Sequence, residues 1–277
     1  MSKKVARSLR ALVSGLTSVM PYWRKSFTLA RLSEYLHQRH TVETKHGPLI
    51  FVCPTYDSVH YPRTFLTREV DTLEWIDGFE DGAVFWDIGA NVGSYSLYAG
   101  RRGGLKVVAF EPTGSTYANL IQNINENGLA DMVTAYPIAL AEGVALDMLN
   151  MENAAAGSVS HSFGETPTFI GRELETKVRQ STMGFSIDRL IEIFGLDIPN
   201  HIKIDVDGIE PRILEGAAQT FRRREVRSIL IEIEGDPRSK RNKAMFETMA
   251  NYGFPAHNHD FDAKRDVQTV NVIFRRA

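Results

Sequence analysis

Cysteine is nearly missing from this chain: Cys53 stands alone among 277 residues. No intrachain disulfide can form, which leads us to expect a reducing, cytoplasmic compartment. Cys53 follows the apolar run Leu49-Ile50-Phe51-Val52 and reads as a small core residue rather than a nucleophile. A long hydrophobic run is missing too. The least charged stretch, Ala11 to Trp23, is broken by Ser14, Gly15, Thr17, Ser18 and Pro21. It is too short and too polar to span a bilayer. No small-residue cleavage site follows it, which argues against a secretory signal. A surplus of charge is also absent. The net charge of −2 gives no reason to expect nucleic-acid binding overall.

What remains is an ordinary globular composition, 43% hydrophobic and 24% charged, in a chain long enough to bury a sizeable core. The charge is nevertheless uneven. Residues 1–40 hold Lys3, Lys4, Arg7, Arg10, Arg24, Lys25, Arg31 and Arg39 against the single acid Glu34. We treat 1–40 as a basic N-terminal extension with three readings. The first is a surface helix docked through Leu29, Leu32 and Leu36, which we rank highest. The others are a peripheral membrane contact and a transit peptide.

The chemistry gathers in Val84-Phe85-Trp86-Asp87-Ile88-Gly89-Ala90-Asn91-Val92-Gly93. It reads as an apolar strand, an acid near its carboxyl end, a glycine turn and a helix start. Glycine lets a ligand lie against the backbone, and the helix's first NH groups would face that ligand. A dinucleotide fingerprint would need glycine at 91 and 94, where the chain has Asn91 and Ser94. A second strand, Lys106 to Phe110, ends in Glu111, placed to bind ribose hydroxyls. Together these point to an adenosine-containing cofactor, with S-adenosylmethionine the best candidate. The competing reading gives Gly89 and Gly93 a packing role only.

Residues 41–82 read as a lead-in or lid: a hairpin around His46-Gly47-Pro48, then a helix carrying Val70, Leu73, Trp75 and Ile76 that Gly78 ends. From 83 strand and helix alternate. Strands fall at 84–88, 106–111, near 134–139, 201–210, 228–233 and 270–274. Helices fall near 92–101, 115–127, 187–194 and 240–251. An irregular insert at about 144–185, rich in Gly, Ser and Thr, reads as a hairpin and loop walling an acceptor pocket. The expected fold is α/β: a Rossmann-like, doubly wound, mostly parallel sheet with an antiparallel last strand. Asp87, Glu111, Asp205 and Glu234 fall at strand ends on the rim where ligands bind.

Several pieces now carry a family likeness: Trp86-Asp87-Ile88-Gly89-Ala90-Asn91-Val92-Gly93, Phe110-Glu111-Pro112, and Ile202-Lys203-Ile204-Asp205-Val206-Asp207-Gly208-Ile209-Glu210, with Gly216-Ala217, Ile231-Glu232 and the lead-in block Arg68 to Asp77 fitting as well. The chain resembles the FkbM-type S-adenosylmethionine-dependent methyltransferases over about residues 40 to 275. The resemblance implies a class I methyltransferase fold and O-methylation of a hydroxyl on a sugar, lipid-linked molecule or natural product. It implies that Asp87, Gly89, Ala90, Asn91, Gly93, Glu111 and Pro112 hold the cofactor, with Ile138 and Ala139 flanking the adenine. Asp205 would be base or orienting acceptor, with Lys203 on the same strand face. A buried ion pair is the plainer reading of those two. Asp207 and Glu210 would cap the following helix.

An alternative uses Mg²⁺ on Asp205, Asp207 and Glu234. His257 and His259 are further base candidates. Tyr56, Tyr61, Phe65 and Trp75 are pocket or core. The competing classes are a non-catalytic nucleotide-binding relative and a nicotinamide oxidoreductase, which Asn91 disfavours. A base methyltransferase would show an Asn/Asp-Pro-Pro-Tyr/Phe run where this chain has Asp205-Val206-Asp207-Gly208. Only the basic N-terminus favours an RNA ribose.

Overall fold

The protein was analysed as a computed structural model that describes residues 2–164, 168–169, 172–173, 175–236, 239–255 and 269–277. Two compact units are present, residues 1–38 and 39–277. The first holds α1 (Ser2–Leu16) and α2 (Tyr22–Tyr35). Pro21 is the N-cap residue of α2, where its fixed φ and missing NH cost nothing.

The second unit opens with β1 (Gln38–Thr44) and β2 (Gly47–Cys53), a two-stranded sheet turning at Lys45–His46. The helices α3 (His60–Arg68) and α4 (Val70–Asp77) follow, and Gly78 closes α4 as expected. Then come β3 (Val84–Ile88), α5 (Ser94–Arg102), β4 (Lys106–Phe110), α6 (Gly114–Glu126) and β5 (Val133–Tyr136). After β6 (Ala139–Leu140), the insert contains β7 (Ala145–Met151), β8 (His161–Phe163), β9 (Thr168–Phe169), β10 (Arg172–Glu173) and β11 (Val178–Phe185). The chain finishes with α7 (Ile187–Phe194), β12 (His201–Ile204), α8 (Glu210–Glu215), β13 (Ser228–Glu234), α9 (Lys240–Asn251) and β14 (Thr269–Arg275).

The main sheet has the order β14-β13-β12-β3-β4-β5. All its pairs are parallel except β13 with β14. This is the Rossmann-like sheet expected of a class I methyltransferase. Successive residues on a strand point to opposite faces, and the two cores divide accordingly. Phe85, Val107 and Leu230 pack on one face with α4, α5 and α6. Trp86, Ile88, Ile202, Ile204, Ile229 and Ile231 pack on the other with α7, α8 and α9. Burial on both faces explains why these strands are runs of Val, Ile and Phe rather than alternations.

Two expectations need correction. The stretch 134–139 is not one strand: β5 stops at Tyr136, Pro137 intervenes, and β6 joins a second sheet of order β6-β11-β7-β8. The strand expected over 201–210 ends at Ile204, and a loop reaches α8, whose first turn carries Pro211. The insert is more regular than its composition implied, because β7 and β11 pair antiparallel over seven residues.

Candidate active site

Three turns after parallel strands build one cavity of about 320 Å³. The first follows β3. Gly89 has φ +81°, Asn91 φ +50° and Gly93 φ +93°. A Cβ on Gly89 would lie 1.8 Å from the carbonyl oxygen of Asp205, and one on Gly93 would lie 2.4 Å from Leu120. Both glycines therefore have a packing reason, and Gly89 also packs this turn against the turn after β12. Asn91 uses its side chain twice: Oδ1 accepts from Val92 NH at 2.8 Å, and Nδ2 donates to Ser158 O at 3.1 Å.

The second turn follows β4. Glu111 accepts from Asn91 NH at 3.0 Å and from Thr113 NH at 2.8 Å. Burial pushes its carboxyl up to about 7, against the pull of those donors. The third turn follows β12. Its strand register places Lys203 beside Asp87 on β3 and Leu230 on β13. The face that carries Lys203 also carries Asp205, Asp87 and Glu232, and Tyr95 of α5 covers it. The Lys203 ammonium, 1% exposed, contacts Asp205 Oδ2 and lies 4.8 Å from the centre of the Tyr95 ring. Burial works against that ammonium, but Asp205, Glu69 and Asp87 outweigh it and keep Lys203 firmly protonated. Burial likewise opposes the Asp205 anion, and Lys203 overrides it, so the carboxyl lies below its ordinary value.

Of the residues expected at the site, Gly89, Ala90, Asn91, Glu111, Pro112, Lys203 and Asp205 line the cavity, with Ile138, Ala139 and Asp207. Asp87 and Gly93 are not among its lining residues. Asp87 is 1% exposed; its Oδ2 accepts from Ser96 at 2.6 Å, and its Oδ1 has no partner among the described residues. Tyr61 and Phe65 line the cavity, while Tyr56 is exposed. Trp75 belongs to the core and donates to Ser228 at the other end of the sheet. Cys53 is buried, and burial pushes its thiol up to about 11, as suits a core residue.

Asp207, expected at the entry to α8, reaches the insert. Its Oδ2 accepts from His161 NH at 2.8 Å and so ties the insert to the β12 turn. Glu210 does contact the helix entry, accepting from Gly208 NH at 3.1 Å. The Glu234 side chain, His257 and His259 lie outside the described residues. Among the described residues, the carboxylates that gather are Glu69, Asp205 and Glu232, each offering an oxygen within 4.8 Å of the others, and Lys203 already supplies Asp205 with a cation.

Glu69 and Glu232 stand in pieces of the family likeness, but the sequence assigned neither a role. Glu69 sits at the joint between α3 and α4, and Glu232 alternates with isoleucines in β13. The lead-in also contributes Tyr61, Thr64 and Arg68 to the cavity, and the insert contributes Leu149, Ser158 and His161. Arg68 pairs with Glu69 at 3.6 Å.

The arrangement suits a ligand with hydroxyls at the Glu111 end and positive charge toward the carboxylates of the Asp205 wall. S-adenosylmethionine has that form.

Comparison with known proteins gives the same direction. The sequence profile of the methyltransferase FkbM domain matches residues 87–256. The hexuronic acid methyltransferase AglP of Haloferax volcanii is 25% identical over 161 residues, which cover 57% of this chain and 60% of that protein. The chain therefore spans less than two thirds of its curated relative's length. The crystal structure of methyltransferase FkbM from Methylobacillus flagellatus is 16% identical, with 80% of this chain and 55% of that chain covered and a TM-score of 0.44. The magnesium protoporphyrin IX methyltransferase ChlM of Synechocystis, solved with S-adenosylmethionine bound, is 10% identical, with 80% and 85% covered and a TM-score of 0.48.

Glu111 generates a stability prediction. Its folded carboxyl titrates near 7 instead of 4.5, so the anion is disfavoured by folding. That contribution is present at low pH and lost as pH rises through about 7. Glu111→Gln should be more stable than wild type at pH 8 by roughly 3 kcal/mol, and no more stable at pH 4, in urea unfolding followed by circular dichroism.

Proposed function

The chain belongs to the FkbM methyltransferase family, and we propose that it transfers a methyl group from S-adenosylmethionine to an oxygen of a sugar or related small molecule. The observation that carries this is the single cavity in which Glu111 and the Lys203–Asp205 pair share the carboxyl rim of the sheet. Glu111 would hold the ribose hydroxyls, and the turn Gly89-Ala90-Asn91 would lie against the rest of the cofactor. When bound, the cofactor supplies an electrophilic sulfonium methyl. Asp205 orients the acceptor hydroxyl and takes its proton. A carboxylate weakened as a base by Lys203 suffices, because the hydroxyl becomes strongly acidic only as its oxygen bonds to carbon. Walling by the lead-in and the insert keeps water from the acceptor oxygen. The name of the Haloferax volcanii relative supports a sugar acceptor, hexuronic acid being the substrate class it carries.

Calorimetry with S-adenosylhomocysteine should show micromolar binding, no binding of NAD, and loss of binding in Glu111→Ala. Asp205→Asn should keep that affinity within about threefold, while methyl transfer to sugar acceptors, read with labelled S-adenosylmethionine, falls about 10²–10³-fold. Heat from NAD alone would sink the assignment.

We also propose that residues 1–40 make a peripheral contact with an anionic membrane surface. No helix among the described residues is long and apolar enough to cross a membrane. In α1, Val5, Leu9, Leu12 and Leu16 form one exposed apolar stripe, and Lys3, Lys4, Arg7 and Arg10 accompany it without an acid. Trp23 and Phe27 of α2 are exposed as well. The protein should sediment with vesicles containing phosphatidylserine, not with phosphatidylcholine alone, and Leu9→Glu with Leu12→Glu should abolish the association.

A further inference from the structure

Two permanently charged cations stand among the described residues of the cavity wall, and they are not equivalent. Lys203 is buried and spent on Asp205. Arg68 keeps its side chain 58% exposed and donates no hydrogen bond among the described residues. Its ion-pair partner Glu69 holds Oε1 3.6 Å from the arginine Nε, too long for a hydrogen bond. Glu69 does not depend on that contact, because Thr72 and Asn271 donate to its Oε2 at 3.1 and 2.8 Å. Arg68 ends α3, and the helix dipole favours a cation in a last turn wherever it points. Here it also lines the cavity, on one helix face with Tyr61 and Thr64. The Tyr61 hydroxyl donates to Gly157 O at 3.0 Å and so fastens that helix to the insert. Glu69, the next residue, gathers with Asp205, which puts the guanidinium on the Asp205 side of the cavity.

We propose that Arg68 is an anion subsite for the methyl acceptor: the acceptor carries a carboxylate or phosphate that the guanidinium grips while a hydroxyl of the same molecule meets Asp205. This deepens the methyltransferase reading and rests on it for the identity of the reaction. A guanidinium presents paired N–H donors that match two oxygens of a carboxylate or phosphate, whereas a neutral hydroxyl takes them singly. The carboxylates of the wall sharpen the choice. They repel an anion everywhere except at this fork, so an anionic acceptor enters one way round. Its orientation then decides which hydroxyl faces Asp205. Arg68 is thus a specificity-determining residue as well as a source of affinity.

The test is calorimetry on the whole chain with S-adenosylhomocysteine bound, which needs no turnover. The probes are nitrophenyl glucuronide, nitrophenyl glucoside and glucose phosphate. The first two differ in the carboxylate alone, and the third separates phosphate from carboxylate. At least one anionic probe should bind about tenfold or more tighter than the glucoside. Arg68→Gln should lose about 10–100-fold of the anion's affinity and leave that of the glucoside in place, and Arg68→Lys should recover part of the loss. Arg63→Gln removes the same charge from an exposed position of α3 outside the cavity wall and should leave the anion preference intact. In turnover with labelled S-adenosylmethionine, the Arg68→Gln defect should fall on KM for the anionic acceptor more than on kcat.

Equal binding of anionic and neutral probes would overturn the proposal, as would an anion preference that survives Arg68→Gln or falls equally in Arg63→Gln. So would failure of every anionic probe to bind a chain that holds S-adenosylhomocysteine. A chain that binds no S-adenosylhomocysteine counts against the methyltransferase reading instead, and the same probes titrated into the chain alone still judge Arg68.

Discussion

A lysine ammonium held at 1% exposure at the end of the central strand is the constraint on which the site depends. Removing a charge from water is costly, and only charges and donors brought close can offset it. Lys203 obtains them from several elements: Asp205 beyond its own strand, Asp87 from β3 and the Tyr95 ring from α5. The ammonium in turn lets Asp205 remain ionised where burial alone would protonate it. The fold thus keeps a carboxylate ionised in a wall that would otherwise neutralise it.

The rest of the structure keeps that wall in register. Gly89 lets the turn after β3 pack on the backbone of Asp205, and Asn91 fastens the same turn to Ser158 of the insert. His161 spans three regions: its Nδ1 meets Thr113 Oγ1 at 2.9 Å, its Nε2 meets Ser158 Oγ at 3.0 Å, and its NH donates to Asp207. Burial lowers its pKa to about 4, so the ring stays neutral and bridges two hydroxyls. The lead-in is joined as well, since Thr55 donates to Ala156 O and Tyr61 to Gly157 O. The insert therefore acts as a strap across the three turns that line the cavity, which its Gly- and Ser-rich composition did not advertise.

The sheet was legible because strands buried on both faces must be apolar throughout, and such runs stand out between helical periods. Lys203 and Asp205 were legible as a pair because two residues separate side chains on the same strand face. Glu232 belongs to the family likeness but was given no role, for a related reason. In Ser228–Glu234 the acids alternate with isoleucines, the ordinary look of a half-exposed edge, and only the pairing with β12 and β14 shows that strand to be interior. The role of Glu69 was illegible because its partner Asn271 is remote in sequence. The tie from Asp207 to the insert was illegible because its partner, His161, is remote in sequence. Asp87 was placed on the cavity wall by likeness, whereas its side chain turns into the protein beside Ser96.

The most direct test of this account is a double-mutant cycle on Lys203→Met and Asp205→Asn, read by urea unfolding at pH 7.5. If the ammonium and the carboxylate hold each other in place, Lys203→Met alone should cost about 3–5 kcal/mol, because it strands buried carboxylates. Adding Asp205→Asn should then recover part of that loss, giving a coupling of about 2 kcal/mol or more. Additive effects, with Lys203→Met near wild-type stability, would contradict the claim that this ion pair organises the site.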